Sequence, residues 1–259
     1  MNAKRPHIDE LLELGLEMGA SDLHYTAGQP PIFRVVGRLN PLRVEAVSTR
    51  EFDAVMQEVV PANLWQRFQD TGDLDWAYDS GPLGRFRVNL FQQERGPGAV
   101  FRHIPSASLG FDELGLPQHV KKLVEYPSGL VLVTGPTGSG KSTTLAALIE
   151  YLNHSQRLHI LTVEDPIEFV HRNRRSRITQ REIGASARTF ADALRVAMRE
   201  DPDVILVGEL RDLETISMAL QAAETGVLVL ATMHTNSASR TVDRMVNVFT
   251  TDQQATVRG

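Results

Sequence analysis

Gly129-Leu130-Val131-Leu132-Val133-Thr134-Gly135-Pro136-Thr137-Gly138-Ser139-Gly140-Lys141-Ser142-Thr143-Thr144 is the stretch that decides the fold. Leu130 to Val133 is a continuous apolar run, the pattern of a strand buried on both faces of a parallel sheet. From Gly135 the chain fits G-x-x-x-x-G-K-[ST] at every fixed position. The glycines let backbone N–H groups turn inward and cradle phosphate oxygens. Lys141 reaches the outer phosphates, and the Ser142 hydroxyl can sit on Mg²⁺. Leu145, Leu148, Ile149 and Leu152 follow at i, i+3, i+4 and i+7, so the loop opens a helix whose positive end faces the anion. A plain Gly-rich strand-to-helix turn is the alternative for an isolated loop. The strand before it and the helix after it favour a nucleotide, held by Gly135, Pro136, Thr137, Gly138, Ser139, Gly140, Lys141, Ser142 and Thr143.

That reading is of a P-loop NTPase, and composition sets its bounds. The chain has 259 residues, 42% hydrophobic and 23% charged, with a formal net charge of −5. This is enough for one large domain or two modest ones with real cores. With Cys 0 there is no disulfide framework and no Cys-ligated zinc within the stretch. The basic opening Met1-Asn2-Ala3-Lys4-Arg5-Pro6 runs straight into Ile8-Asp9-Glu10-Leu11-Leu12-Glu13, which is no secretory apolar segment. No apolar run approaches the ~20 residues needed to span a bilayer. The expectation is a soluble cytoplasmic protein with no direct membrane insertion. A mildly acidic balance gives no reason to expect nucleic acid.

Along the chain, residues 1–105 read as an α+β domain, 106–128 as a connector with a short helix near Gln118 to Val124, and 129–259 as the nucleotide-binding domain. Ile8, Leu11 and Leu12 give a short helix that Gly19 is placed to end. Ser21-Asp22-Leu23-His24 leads into a strand, Pro30-Pro31 breaks it, Ile32 to Val36 reads as the next, and Gly37-Arg38 looks like a hairpin turn. Ser48 with Glu51 makes a capping box for a helix with Phe52, Val55, Met56 and Val59 on one stripe, stopped by Pro61. Leu74, Trp76 and Tyr78 alternate as a strand. In Arg85 to Leu90 the period is also two, with Phe86, Val88 and Leu90 on one face and Arg85, Arg87 and Asn89 on the other. A further strand runs from Ala99 to Ile104. For an isolated sheet, Arg85 and Arg87 read as a solvated outer face.

In the second domain short apolar runs recur at Leu130–Val133, Ile160–Val163, Val204–Val207 and Val227–Leu230, with helical patterns between some of them. That is how a parallel α/β sheet reads. Ligands of such sheets bind outside the carboxyl ends of the strands. The runs end in the phosphate loop, in Glu164-Asp165-Pro166-Ile167-Glu168, in Gly208-Glu209 and in Ala231-Thr232-Met233-His234. Acidic and imidazole groups are therefore expected around phosphates held by Lys141. Glu209 stands where a Walker B acid sits and can bind Mg²⁺ directly or through water. Pro166 bends the chain, so Glu164, Asp165 and Glu168 need not point together, and one or two of them are expected at the site. His234 reads equally as a γ-phosphate sensor or as a satisfied polar residue at a strand end. A helix is expected from Asp192 to Glu200. The basic run Arg172, Arg174, Arg175, Arg177 reads as a solvated loop, because no aromatics are interleaved after Phe169.

Met198-Arg199-Glu200-Asp201-Pro202-Asp203-Val204-Ile205-Leu206-Val207-Gly208-Glu209-Leu210-Arg211-Asp212 resembles the signature of the secretion and pilus ATPases, with Gly-Glu where a Walker B aspartate is usual. Ile160 to Glu168 resembles their aspartate box, and Gly226 to Thr235 their histidine box. Ser21 to His24, Arg85 to Asn89 and Gly98 to Pro105 resemble the amino-terminal domain of PilT-type pilus retraction ATPases. The resemblance implies a PAS-like first domain and a RecA-like second, a homo-hexameric ring, and ATP with Mg²⁺ as cofactors. It implies pilus disassembly and twitching motility through an inner-membrane platform protein, with the motor cytoplasmic and peripheral at the inner membrane. Residue by residue it points to Lys141 and Ser142 for phosphate and metal, and to Glu168 and Glu209 as catalytic acids. His234 is the histidine-box residue, and Arg87 and Arg102 are the arginines that reach the γ-phosphate. Two departures stand out: position 227 is Val where family members often carry a second histidine, and the sequence stops at Gly259 where relatives continue. The latter reads as a truncation.

Three rivals remain open at this stage: an extension or type II secretion ATPase of the same superfamily, a non-hydrolysing accessory retraction adaptor, and a RecA-like nucleic-acid motor. The early Ser-Asp-Leu-His motif argues against the first, intact Glu168 and Glu209 against the second, and charge against the third. No guanine-reading N-K-x-D is present, which favours ATP.

Overall fold

In a computed structural model the described residues are 8–104, 110–235, 237–252 and 254. The basic opening, the boundary expected at residue 105 and the final residues after Gln254 lie outside them. The chain divides into two compact units, Met1–Ser106 and Ala107–Gly259.

The first unit is one antiparallel sheet with helices packed on one face. In chain order it runs α1 (Ile8–Glu17), β1 (Ala20–Thr26), β2 (Ile32–Val35), β3 (Arg38–Pro41), α2 (Thr49–Val59), α3 (Ala62–Thr71), β4 (Asp73–Asp79), β5 (Arg85–Phe91) and β6 (Gly98–Ile104). The strand order is β3-β2-β1-β6-β5-β4. Period-two alternation sends Leu23, Phe33, Phe86, Val88, Leu90 and Phe101 to the core, where they meet Leu11, Leu12, Phe52, Met56 and Phe68 from the helices. α2 begins with the capping box read from the sequence: Ser48 accepts from the Glu51 N–H, and Glu51 reaches back to the Ser48 N–H.

Two local expectations needed correction. The hairpin turn is Val36-Gly37, one residue earlier than Gly37-Arg38. Both residues have positive φ, 48° and 76°, and Val35 pairs with Arg38 across a two-residue loop. Pro61 does end α2, but it also stands as the residue before α3, a helix the sequence reading passed over. Trp65 and Phe68 give α3 its packed face, and Gly72 in the left-handed region closes it.

The second unit holds β7 (Gly129–Thr134), α4 (Lys141–Ser155), β8 (His159–Glu164), β9 (Arg177–Glu182), α5 (Phe190–Ala197), β10 (Val204–Val207), α6 (Leu213–Glu224), β11 (Leu228–Met233) and α7 (Ala238–Asn247). The sheet is parallel throughout, in the order β7-β11-β10-β8-β9. The parallel α/β fold expected of residues 129 onward is the one observed. Leu145, Leu148, Ile149 and Leu152 on α4 are all buried, as their spacing requires. They pack with Phe111 and Val124 from the stretch read as a connector, whose short 3-10 helix spans Gln118–Val124.

β7 differs from expectation. It pairs only with β11, at one side of the sheet, and all its residues are half-buried rather than enclosed on both faces. A continuous apolar run does not by itself distinguish an edge strand from a central one. β9 was not anticipated: Arg-Ile-Thr-Gln-Arg-Glu is polar because it is the opposite edge of the sheet. α5 ends at Ala197, three residues short of the expected Glu200, and is capped by Thr189, whose side chain accepts from the Asp192 N–H.

Candidate nucleotide site

Because all strands of the second sheet are parallel, the carboxyl ends of β7, β8, β10 and β11 lie along one edge of it. The glycine loop leaves β7 there. Gly135, Gly138 and Gly140 have φ of 157°, 78° and 89°. A Cβ on Gly135 would stand 2.6 Å from the Ser139 Oγ, which can rotate aside, so it is the positive φ that calls for glycine there. Ser139 donates back to the Pro136 carbonyl at 2.8 Å. The Lys141 ammonium donates to the Gly135 and Pro136 carbonyls at 3.1 and 3.0 Å, which folds it back over the loop it follows.

α4 starts differently from the unit's other long helices. Thr189, Asp212 and Ser237 each cap α5, α6 and α7 by accepting a backbone N–H. α4 has Gly140 at this position, no side-chain cap and no acidic residue in its first turn. A helix start leaves N–H groups without intrahelical partners. Here the loop supplies no side-chain acceptor for them, and the macrodipole adds positive potential. These residues fit a polyphosphate, whose oxygens would take the N–H groups and compete with the carbonyls now holding Lys141.

Glu209 is held from both sides. The Gly208 N–H donates to the Val163 carbonyl of β8 at 2.8 Å, and the Leu210 N–H donates to the Thr232 carbonyl of β11 at 3.0 Å. Thr232 in turn donates its hydroxyl to the Gly208 carbonyl. A Cβ on Gly208 would lie 3.3 Å from the Glu164 Cα and 3.4 Å from the Val163 carbonyl oxygen. The glycine of Gly-Glu is thus a close crossing between two strand ends. The Glu209 carboxylate lies 2.7 Å from Arg211 Nη2 and 3.4 Å from His234 Nε2. Burial is too slight at Arg211 to offset the Glu209 carboxylate, which raises the guanidinium's pKa further. Arg244 on α7 donates to the His234 carbonyl at 3.0 Å. The strand ends therefore bring Glu209 and His234 together.

The aspartate-box acids separate into two kinds. Glu164 accepts from Thr162 Oγ1 at 2.7 Å and Gln180 Nε2 at 3.2 Å, and its other oxygen takes the Glu168 N–H at 3.3 Å. Burial pushes its carboxyl above the ordinary glutamate value despite these bonds. It acts as a strut for the turn that presents Glu168. Asp165 and Glu168 are exposed, on either side of a cis Asp165-Pro166 bond and buried Ile167. Thr162, Gln180 and Arg211 were not singled out for the site. Period-two reading of β8 could have found Thr162, whereas Gln180 was hidden by the polar composition of β9.

In the first unit, Arg87 and Arg102 are direct cross-strand partners on β5 and β6. They lie on inner strands, and both face away from the apolar core. Like charges opposite one another are unfavourable. Buried Asp22 offsets this: its carboxylate accepts from Arg102 Nε at 2.8 Å and from Ser21 Oγ at 2.8 Å. Burial alone would raise the Asp22 pKa, but the Ser21 and Arg102 hydrogen bonds outweigh it and hold the carboxyl below the ordinary aspartate range. Among the described residues Arg87 has only a loose 3.9 Å approach to Asp75 between exposed side chains.

Comparison with known proteins agrees with this construction. A family model described as Type II/IV secretion system protein matches residues 7–256. A type IV pilus retraction ATPase, PilT, of Pseudomonas aeruginosa is 49% identical over 251 residues, covering 97% of this chain and 73% of the relative. A twitching motility protein of Neisseria gonorrhoeae is 50% identical over 228 residues, covering 88% of this chain and 61% of the relative. A crystal structure of the pilus retraction motor PilT with bound ADP superposes with a TM-score of 0.94 at 45% identity, covering 98% of this chain and 74% of that one.

Proposed function

The chain belongs to the Type II/IV secretion system protein family, and from that premise we propose that it is the ATP-hydrolysing motor of type IV pilus retraction. The observation that carries the enzymatic part is the uncapped start of α4 in its glycine cradle, with Lys141 folded over the loop. The names of the relatives supply the biological part: one is a retraction ATPase and another a twitching motility protein.

In this reading the N–H groups of the loop and of the α4 start bind the phosphates, and Lys141 turns from its carbonyls to the outer oxygens. Ser142 and Glu209 would hold Mg²⁺, and the ion would supply positive charge to the phosphate oxygens. Glu168 accepts the proton of the attacking water, positioned by the Glu164 strut. His234 stands against Glu209 and reports the γ-phosphate to α7 through the contact of its carbonyl with Arg244. Arg87 and Arg102 supply positive charge to the transition state, a contribution that can be worth 10³–10⁵ in rate. The motor works as a homo-hexameric ring at the pilus base, engaging an inner-membrane platform protein from the cytoplasmic side. Among the described residues no helix is long and apolar enough to cross a membrane.

The test is ATP turnover with Mg²⁺ in purified protein. Lys141→Ala should abolish it with the fold intact, while Glu209→Gln and Glu168→Gln should bind ATP and hydrolyse it at least ~10²-fold more slowly. Wild-type turnover in a folded Lys141→Ala protein would end the enzymatic reading. Normal turnover in Glu168→Gln alone would move the base elsewhere.

A further inference from the structure

The amino ends of β8 and β9, at the sheet edge opposite the phosphate loop, carry a charged surface that the nucleotide chemistry does not use. Arg157, Arg172, Arg174, Arg175 and Arg177 are all exposed, and among the described residues none has an ion-pair or side-chain hydrogen-bond partner. Their backbone is firmly held. Asn153, fully buried on α4, donates to the Arg172 carbonyl at 2.8 Å and accepts from the Arg174 N–H at 3.0 Å. The Asn153 carbonyl takes the Arg175 N–H at 2.9 Å. Buried Ser176 bridges the Gln156 carbonyl and the Leu158 N–H at 2.8 and 3.1 Å. Such a loop presents its arginines from a fixed backbone, not from a solvated tether.

The chemistry narrows the partner. Arginine forks suit carboxylates and phosphates held in fixed geometry. No aromatic side chain is interleaved to stack on bases, and no apolar side chain stands among the arginines to enter a bilayer. A rigid carboxylate surface is the best match, and the chain carries one. Glu10, Glu13 and Glu17 line the exposed face of α1, whose opposite face is buried through Ile8, Leu11 and Leu12. α1 contains no basic residue, and among the described residues these glutamates have no partner. Leu14, 38% exposed, lies within the same stripe. A ring closed by head-to-tail contacts needs two different, mutually complementary patches on one chain.

We propose that the arginine loop of one subunit docks on the glutamate face of α1 of a second copy of the chain. This rests on the ring reading above and names the surfaces that close it. The interface is electrostatic at its rim and weakens as salt rises.

The test is assembly of the full chain, measured by sedimentation velocity across a range of salt. Arg174→Glu/Arg175→Glu and Glu13→Arg/Glu17→Arg are each expected to raise the concentration for half-assembly about tenfold or more, because each sets like charges face to face. Mixed one to one, the two reversed proteins should assemble again, since every contact between unlike subunits is complementary. Thermal melts and ATP affinity equal to wild type establish that each variant is folded. Wild-type assembly by either folded variant, or failure of the mixture to recover, overturns the docking and leaves the ring standing. A wild-type chain that stays monomeric overturns both. If Arg174→Glu/Arg175→Glu assembles normally but no longer co-sediments with phosphatidylglycerol vesicles, the loop faces a membrane and the proposal falls.

Discussion

Substituting Gly208 by alanine probes the site without removing any charged group. The new methyl would stand 3.3 Å from the Glu164 Cα and 3.4 Å from the Val163 carbonyl oxygen. Both neighbours are backbone, so no flexible side chain can yield, and the strand ends must separate by a few tenths of an ångström. Gly208 has no positive φ, so the penalty is steric alone. Overpacking of this kind costs about 1–3 kcal/mol, which in a chain of this size lowers the melting temperature by about 2–12 °C. Glu209 is the next residue and moves with the strand end, away from the 3.4 Å approach to His234. Displacements up to ~1 Å at a reacting site cost as much as ~10²-fold in rate. ATP turnover should therefore drop by about tenfold or more while ATP affinity, set chiefly by the glycine loop and the start of α4, stays within a few-fold. Phosphate release and a thermal melt on the same preparation read both effects. Wild-type turnover with an unchanged melt would show that the β10–β8 crossing does not position Glu209.

Three further outcomes are expected. Arg87→Ala subunits and Glu168→Gln subunits should each be inactive and regain turnover on mixing if the arginine acts across a subunit boundary. Wild-type rates in Arg87→Ala, Arg102→Ala and the double variant would make both ordinary surface charge. Asp22→Asn should reduce acid sensitivity: the folded carboxyl titrates below its unfolded value, so its stabilisation is present at neutral pH and lost as pH falls through the folded pKa. Parallel melting curves of Asp22→Asn and wild type from pH 7 to pH 3 would contradict this. Glu164 has the opposite sign. Its folded pKa is raised, so the folded state binds the extra proton and wild type loses stability as pH rises through that interval. Glu164→Gln should gain on wild type in melting temperature as pH rises from the ordinary glutamate range, and a difference constant with pH would refute it.

Much of this was legible in the sequence because local rules and tertiary demands coincide there. The fixed positions of the phosphate loop, the stripe of Leu145, Leu148, Ile149 and Leu152, and the Ser48–Glu51 capping box each follow from short-range geometry. What was missed depends on partners distant in sequence. β9 is polar because only pairing with β8 makes it a strand. α3 was hidden because Pro61, which ends α2, is also the residue before α3. Glu164 and Glu168 are alike in the sequence, and only Thr162 and Gln180 divide them into strut and exposed acid. The Gly208 crossing is likewise invisible without the register of β10 against β8, although the Gly-Glu pair itself was conspicuous.

The central claim is that ATP turnover at this loop withdraws pili. Its most direct test is a chromosomal Lys141→Ala substitution in a piliated cell that carries this protein, scored for surface pili by electron microscopy and for twitching on agar. We expect normal protein levels, an excess of surface pili and no twitching, because extension continues unopposed. Bald cells would contradict the claim and make the protein an extension motor.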